Sequence, residues 1–264
     1  MRILYIYLFI ILQTGNLFSQ NNIQLLLDSN YRTVPDFGFN GNTIRGPSWT
    51  DSIFNDSVST MFPKVIRYPG GVIANFLDWE TGWFFSQDVL DTAIIDTVYT
   101  MNTGWYFLDT LDMRPVVFQQ ALDQIQAEGV YVMNMMSSNV SKQSQALRDA
   151  INDGVIINKI ELGNEINRGD TFQIMKYPTA GDYARACNDY IDSIKVINPN
   201  AKIAVVGGNR APDSSRAGHW NDSIYSIVDS VDALVWHPYI YLNDKDTNFT
   251  IKQVLAYPFY RIPL

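Results

Sequence analysis

Between residues 37 and 236 the chain alternates short apolar runs with amphipathic stretches, and this alternation limits the fold more than any single motif does. The apolar runs lie at Phe37–Asn40, Lys64–Tyr68, Val130–Met135, Ile156–Leu162, Lys202–Val206 and Ala233–Trp236. Most are bounded by Gly, Pro or Asn, as strands covered on both faces are. An earlier strand is predicted at Ile23–Asp28. Between the runs, Arg114–Glu128 carries Val117, Phe118, Ala121, Leu122 and Ile125 at helical spacing and is predicted to stop at Gly129. Helices are also predicted at Gln143–Asn152, at Thr179–Ile197 (ending at Asn198-Pro199) and at Asn221–Val228.

Strand–helix alternation implies a parallel sheet with helices outside it. An open doubly wound sheet and a closed barrel both satisfy it. No GxGxxG follows the first strand, and Gly207-Gly208 reads as a tight turn rather than a phosphate cradle. Polar and aromatic residues gather after strand C-termini, where both architectures bind ligands. Taken as a barrel, the pattern supplies six strands, and an eight-stranded barrel needs two more than the 264 residues show.

The N-terminus adds a location. Arg2 precedes an apolar run from Ile3 to Leu12, which is too short to span a bilayer as a helix. Residues 1–20 are expected to be a signal peptide cut near Gln20, giving a secreted, extracellular or periplasmic protein; the competing reading is an uncleaved anchor. No stable membrane span is expected after cleavage. The formal net charge of −8 disfavours nucleic acid and suits a neutral or weakly charged substrate. Cys187 is the only cysteine and there are two histidines, so no disulfide can form within the chain and little is left for a metal site. No metal and no cofactor is expected.

Four segments could carry chemistry. In ELGNE, Glu161–Glu165, strand alternation would send Glu161, Gly163 and Glu165 to one face, with Glu165 at the strand's end. Cleaving a glycosidic bond requires a carboxylic acid to protonate the leaving oxygen and a second carboxylate across the sugar. Asn164 could bond a sugar hydroxyl; equally, Glu165 could simply open a loop. In VIRYPGG, Val65–Gly71, Arg67 offers a permanently charged donor fork before a sharp turn. In DWETGW, Trp79 and Trp83 offer flat apolar surfaces to sugar rings, or plain loop anchors. In WHPY, His237 and Tyr239 supply hydrogen-bonding groups. The GxSxG elbow of lipases is absent.

Taken together, RYPGG with Trp79 downstream, ELGNE and His237-Pro238-Tyr239 resemble the second-, fourth- and sixth-strand motifs of clan A glycoside hydrolases, and most closely the α-L-arabinofuranosidase family and its relatives. The resemblance covers about residues 23–240. It implies a (β/α)8 TIM barrel, incomplete here, over residues 21–264 and truncated before strand seven. It implies a retaining glycosidase acting on plant- or algal-type poly- or oligosaccharide. Glu165 would be the general acid/base and Asn164 would contact the hydroxyl beside the anomeric carbon. Arg67 would support the nucleophile, His237 and Tyr239 would line the sugar subsite, and Asn134 matches a family asparagine more loosely. Ile23–Asp28 would correspond to the piece that joins an accessory β-sandwich.

Two features depart from the family pattern. The first strand ends FNGN, Phe39–Asn42, where arabinofuranosidases carry a Glu. The four glutamates are Glu80, Glu128, Glu161 and Glu165, so none follows the acid/base, whereas the family's nucleophile is a Glu at the end of strand seven. The expectation is an N-terminal fragment, inactive alone, whose nucleophile lies downstream. A non-catalytic carbohydrate-binding barrel and an unrelated hydrolase using His237 are the alternatives.

Overall fold

The computed structural model describes residues 37–43, 47–84, 112–208 and 216–237. The predicted strand at Ile23–Asp28, the apolar leader and Tyr239 lie outside them. Six strands form one sheet: β1 (Gly38–Asn40), β2 (Val65–Tyr68), β3 (Glu128–Met133), β4 (Lys159–Leu162), β5 (Lys202–Val206) and β6 (Ala233–Val235). All neighbours are parallel and they pair in chain order. The helices are α1 (Ser52–Ser59), α2 (Pro115–Ile125), α3 (Val140–Asn152), α4 (Thr171–Lys176), α5 (Ala180–Ile197) and α6 (Trp220–Ile227).

Strand order decides what the sequence pattern left open. A doubly wound sheet reverses direction at a switch point, so its neighbours are not consecutive in the chain. Here every neighbour is consecutive. Right-handed crossovers then put all connecting helices on one face, and the sheet curls around the other. The result is a (β/α) barrel wall with six strands among the described residues.

Side chains sort by strand alternation. Ile66 and Tyr68 are fully buried under the helices, and the Tyr68 ring stacks on Phe118 of α2 with centroids 4.4 Å apart. Val65 and Arg67 face the barrel interior and are only partly covered. The helix ends follow local chemistry. α5 opens with a capping box in which the Thr179 hydroxyl accepts from the Asp182 N–H and the Asp182 carboxylate accepts from the Thr179 N–H. α2 stops earlier than its sequence suggests, at Gln126 in a left-handed conformation (φ 62°). Gly129 is therefore no helix stop. It belongs to β3, where an added Cβ would lie 2.5 Å from the Tyr131 ring. Helix α1 was not visible in the sequence because Ser, Asn and Asp are weak helix formers. Asp51 starts it by accepting from the Ile53 and Phe54 N–H groups.

At the C-terminal ends of β4 and β5, one side chain from α5 ties the sheet to the helix layer. The buried Tyr183 hydroxyl donates to the Leu162 carbonyl (2.6 Å) and accepts from the Val206 N–H (2.8 Å). Its ring stacks on Trp220 at 5.5 Å, and the Trp220 indole donates to the Val206 carbonyl. No helix among the described residues is long and apolar enough to cross a membrane.

Candidate functional site

Strand β4 ends at Leu162, and the next residues leave regular geometry. Gly163 has φ 84° and Glu165 has φ 51°. The first is open to glycine alone at this packing, since a Cβ there would meet Ile166 Cγ1 at 2.8 Å. The second is a non-glycine residue in the left-handed region, a conformation costing about 1–3 kcal/mol that the surroundings must sustain. The alternation expected across Glu161, Gly163 and Glu165 thus fails after Leu162, because the turn replaces the strand. Glu161 points into the barrel interior. Glu165 is carried beyond the strand end to the rim by the turn.

Beneath the turn lies a charged floor. Arg67 Nε donates to Glu161 Oε2 at 2.6 Å, Nη2 donates to Asn164 Oδ1 at 3.1 Å and Nη1 donates to Asn40 Oδ1 at 3.3 Å. One guanidinium from β2 therefore joins β1, β4 and the turn after β4. The Asn164 carbonyl accepts from Asn75 Nδ2, which adds the chain that follows β2. That chain starts with a cis Tyr68–Pro69 peptide and two left-handed glycines, and at Gly70 a Cβ would fall 2.2 Å from Asn40 Oδ1. Only a bare backbone fits against the asparagine.

Glu165 sits above this floor, 9% exposed. Its Oε1 lies 3.1 Å from His237 Nδ1, just past β6, and its Oε2 accepts from Arg168 Nη1 at 3.0 Å. Arg168 also pairs with Asp170 at 2.9 Å and is half exposed. Burial opposes the Arg168 charge, yet its hydrogen bonds to Glu165 and Asp170 and their charges outweigh it and raise its pKa. A carboxyl group with an imidazole on one oxygen and a half-exposed cation on the other can exchange protons with a bound molecule at the rim.

The structure brings together Arg67, Asn164, Glu165 and His237, four of the residues singled out by sequence. Two others are placed differently. Trp79 is only 3% exposed and packs edge-on against Tyr131 at 5.9 Å. A short hairpin, pairing Leu77 with Phe84 and Asp78 with Trp83, turns it into the core, so it offers no ring face to a sugar. Asn134 is fully buried and its amide is spent on the turn after β3. It donates to the Leu77 carbonyl and Ser137 Oγ, and accepts from the Met136 and Ser137 N–H groups. Its place is structural. Sequence reasoning missed Asn40, Asn75, Arg168 and Arg216. Asn40 lies in the FNGN segment noted for the absence of a glutamate, and Arg168 leaves a trace as a cation three residues after Glu165. No group of three or more His, Cys, Asp or Glu side chains among the described residues could hold a metal ion.

No protein-family profile and no curated protein matches the sequence. Solved structures do. A family 51 α-L-arabinofuranosidase from Bifidobacterium longum aligns with 71% of this chain over 38% of its own length, with a TM-score of 0.52 and 15% identity. α-L-Arabinofuranosidases from Thermotoga petrophila and Thermotoga maritima align with 69% and 68% of the chain, over 38% and 37% of theirs, with TM-scores of 0.49 and 0.47 and identities of 18% and 20%. The chain thus spans less than two fifths of the length of these proteins. The Bifidobacterium likeness agrees with the barrel deduced from strand order.

Proposed function

We propose that this chain carries the acid/base half of a secreted retaining glycosidase, with Glu165 as the acid/base. The observation that supports it most is the setting of Glu165: a carboxyl at the C-terminal end of the fourth strand, on a left-handed turn, held by His237 and Arg168 above the Arg67 floor. Barrel active sites occupy that face. In the first step Glu165 gives its proton to the leaving glycosidic oxygen, and in the second it takes one from water. Arg168 is shared with Asp170 and half exposed, so an incoming leaving group can displace it. His237 fixes the ring-side oxygen. Asn164 and Arg67 hold the turn, and Arg67 keeps further N–H groups for a partner carboxylate. The substrate is carbohydrate, reached after removal of the leader at residues 1–20.

We take none of the four glutamates as the nucleophile; Glu161, the one nearest Glu165 in sequence, is held by Arg67 in the interior. We assign no nucleophile among the described residues. An external nucleophile should then stand in for it. Azide attacks the anomeric carbon of a phenyl glycoside, the carbon–oxygen bond breaks, and Glu165 delivers its proton to the departing phenolate, leaving glycosyl azide and phenol. Azide-dependent phenol release from at least one sugar of a broad phenyl glycoside panel, lost in Glu165→Gln, is expected. Release that Glu165→Gln leaves unchanged, or no azide-dependent release from any sugar, rejects the assignment.

A further inference from the structure

Arg216 lies between β5 and α6, remote in sequence from ELGNE, and among the described residues no carboxylate pairs with it. Its Nη1 donates to the Ile166 carbonyl at 2.9 Å and to the Arg168 carbonyl at 2.6 Å, and its Nη2 donates to the Tyr177 carbonyl at 2.6 Å. The guanidinium lies 4.8 Å over the Trp220 ring. Its Nε is buried and has no partner. Burial lowers its pKa.

The guanidinium is partly buried, and its fork is spent on backbone carbonyls. What it does hold is specific. Two of its three acceptors belong to the first residues after Glu165, and the third closes the end of α4. The turn they define is the strained one, with Glu165 at φ 51°. The Arg168 N–H also donates to the Glu165 carbonyl at 3.1 Å. Arginine's fork reaches two carbonyls from one nitrogen and a third from the other, and the planar group is seated by Trp220. Trp220 is in turn fixed to β5 through Tyr183 and Val206. The sheet's rim thus reaches the acid turn through one side chain.

We infer that Arg216 is a positioning residue that sets the conformation of the turn bearing Glu165, so that its carboxyl meets His237. Its catalytic meaning rests on the acid/base assignment above, but the geometry can be tested without turnover. The chain has two histidines, so ring-nitrogen NMR gives two resolvable sets, assigned with His219→Gln. In the otherwise unaltered 264-residue chain, Glu165→Gln should move the His237 Nδ1 resonance and leave His219 within error. In Arg216→Gln and Arg216→Lys backgrounds that Glu165-dependent increment should fall at least twofold, with near-ultraviolet dichroism still native. Lysine should not restore it, because one ammonium cannot span three carbonyls. A full increment in either folded variant overturns the inference, and so does failure of both variants to fold, which would make Arg216 a general structural element. Absence of azide-dependent phenol release would overturn the acid/base assignment and leave this result standing.

Discussion

Two tyrosines on α5 undergo the same chemical change in opposite settings. Tyr183 and Tyr190 are both buried on that helix, and each would lose one hydroxyl on replacement by Phe. The Tyr183 hydroxyl satisfies two buried backbone groups, the Leu162 carbonyl and the Val206 N–H. Each orphaned group costs about 1–3 kcal/mol, so Tyr183→Phe should cost about 2–6 kcal/mol while keeping the ring stacked on Trp220. The Tyr190 hydroxyl is buried without a partner. Removing it takes away a desolvated group and strands nothing, so Tyr190→Phe should change stability by less than about 1 kcal/mol or increase it. At about 2–4 °C per kcal/mol for a chain of this size, Tyr183→Phe should lower Tm by at least about 4 °C. Urea unfolding followed by tryptophan fluorescence gives both values, with unchanged m indicating that only stability moved. Equal losses in the two variants would refute the claim that the hydrogen bonds, and not ring packing, hold the ends of β4 and β5.

Burial raises the Cys187 thiol from 9.0 to about 12, with a Tyr183 hydrogen bond opposing it. The unfolded chain loses that proton first, so this contribution is present below about pH 9 and is lost as pH rises toward about 12; native protein should resist a thiol reagent at pH 8 and react at the unfolding rate in urea. Asp182 is lowered chiefly by its hydrogen bond to the Thr179 side chain, against the opposing effect of burial, with Arg185 and the Thr179 N–H adding to the shift. Its contribution is therefore present above the ordinary carboxylate range and lost as pH falls through the folded value, and Thr179→Ala should cost about 1 kcal/mol at pH 7 in the same unfolding assay.

The fold was legible because its signals are local. Strand ends marked by Gly, Pro and Asn, and the apolar stripe of α5 before Asn198-Pro199, are properties of neighbouring residues. The strands begin and end within a few residues of their predicted places, and the order of pairing then fixes the curl. The grouping of candidate site residues was legible where chemistry and strand order coincide, at Arg67, Asn164, Glu165 and His237. It was not legible where tertiary packing decides. Nothing near Trp79 says that a hairpin will turn it against Tyr131, and nothing near Asn134 says that its amide will be used up by the next turn. Arg216 was invisible for a different reason: its partners are backbone carbonyls, which every residue has, so its role leaves no pattern. The glutamate at a positive φ is likewise a product of the whole turn, with Gly163 the only local hint.

The central claim is that Glu165 supplies a proton to the leaving oxygen. Leaving-group dependence in the azide-supplied reaction tests it most directly. General acid assistance contributes roughly 10²–10⁴-fold, and only where the leaving group needs the proton. Glu165→Gln should therefore slow phenyl glycosides by about that factor and leave 2,4-dinitrophenyl glycosides, which depart as stable anions, within a few fold of wild type. A uniform loss across both leaving groups would show that Glu165 only shapes the site, and would contradict the account.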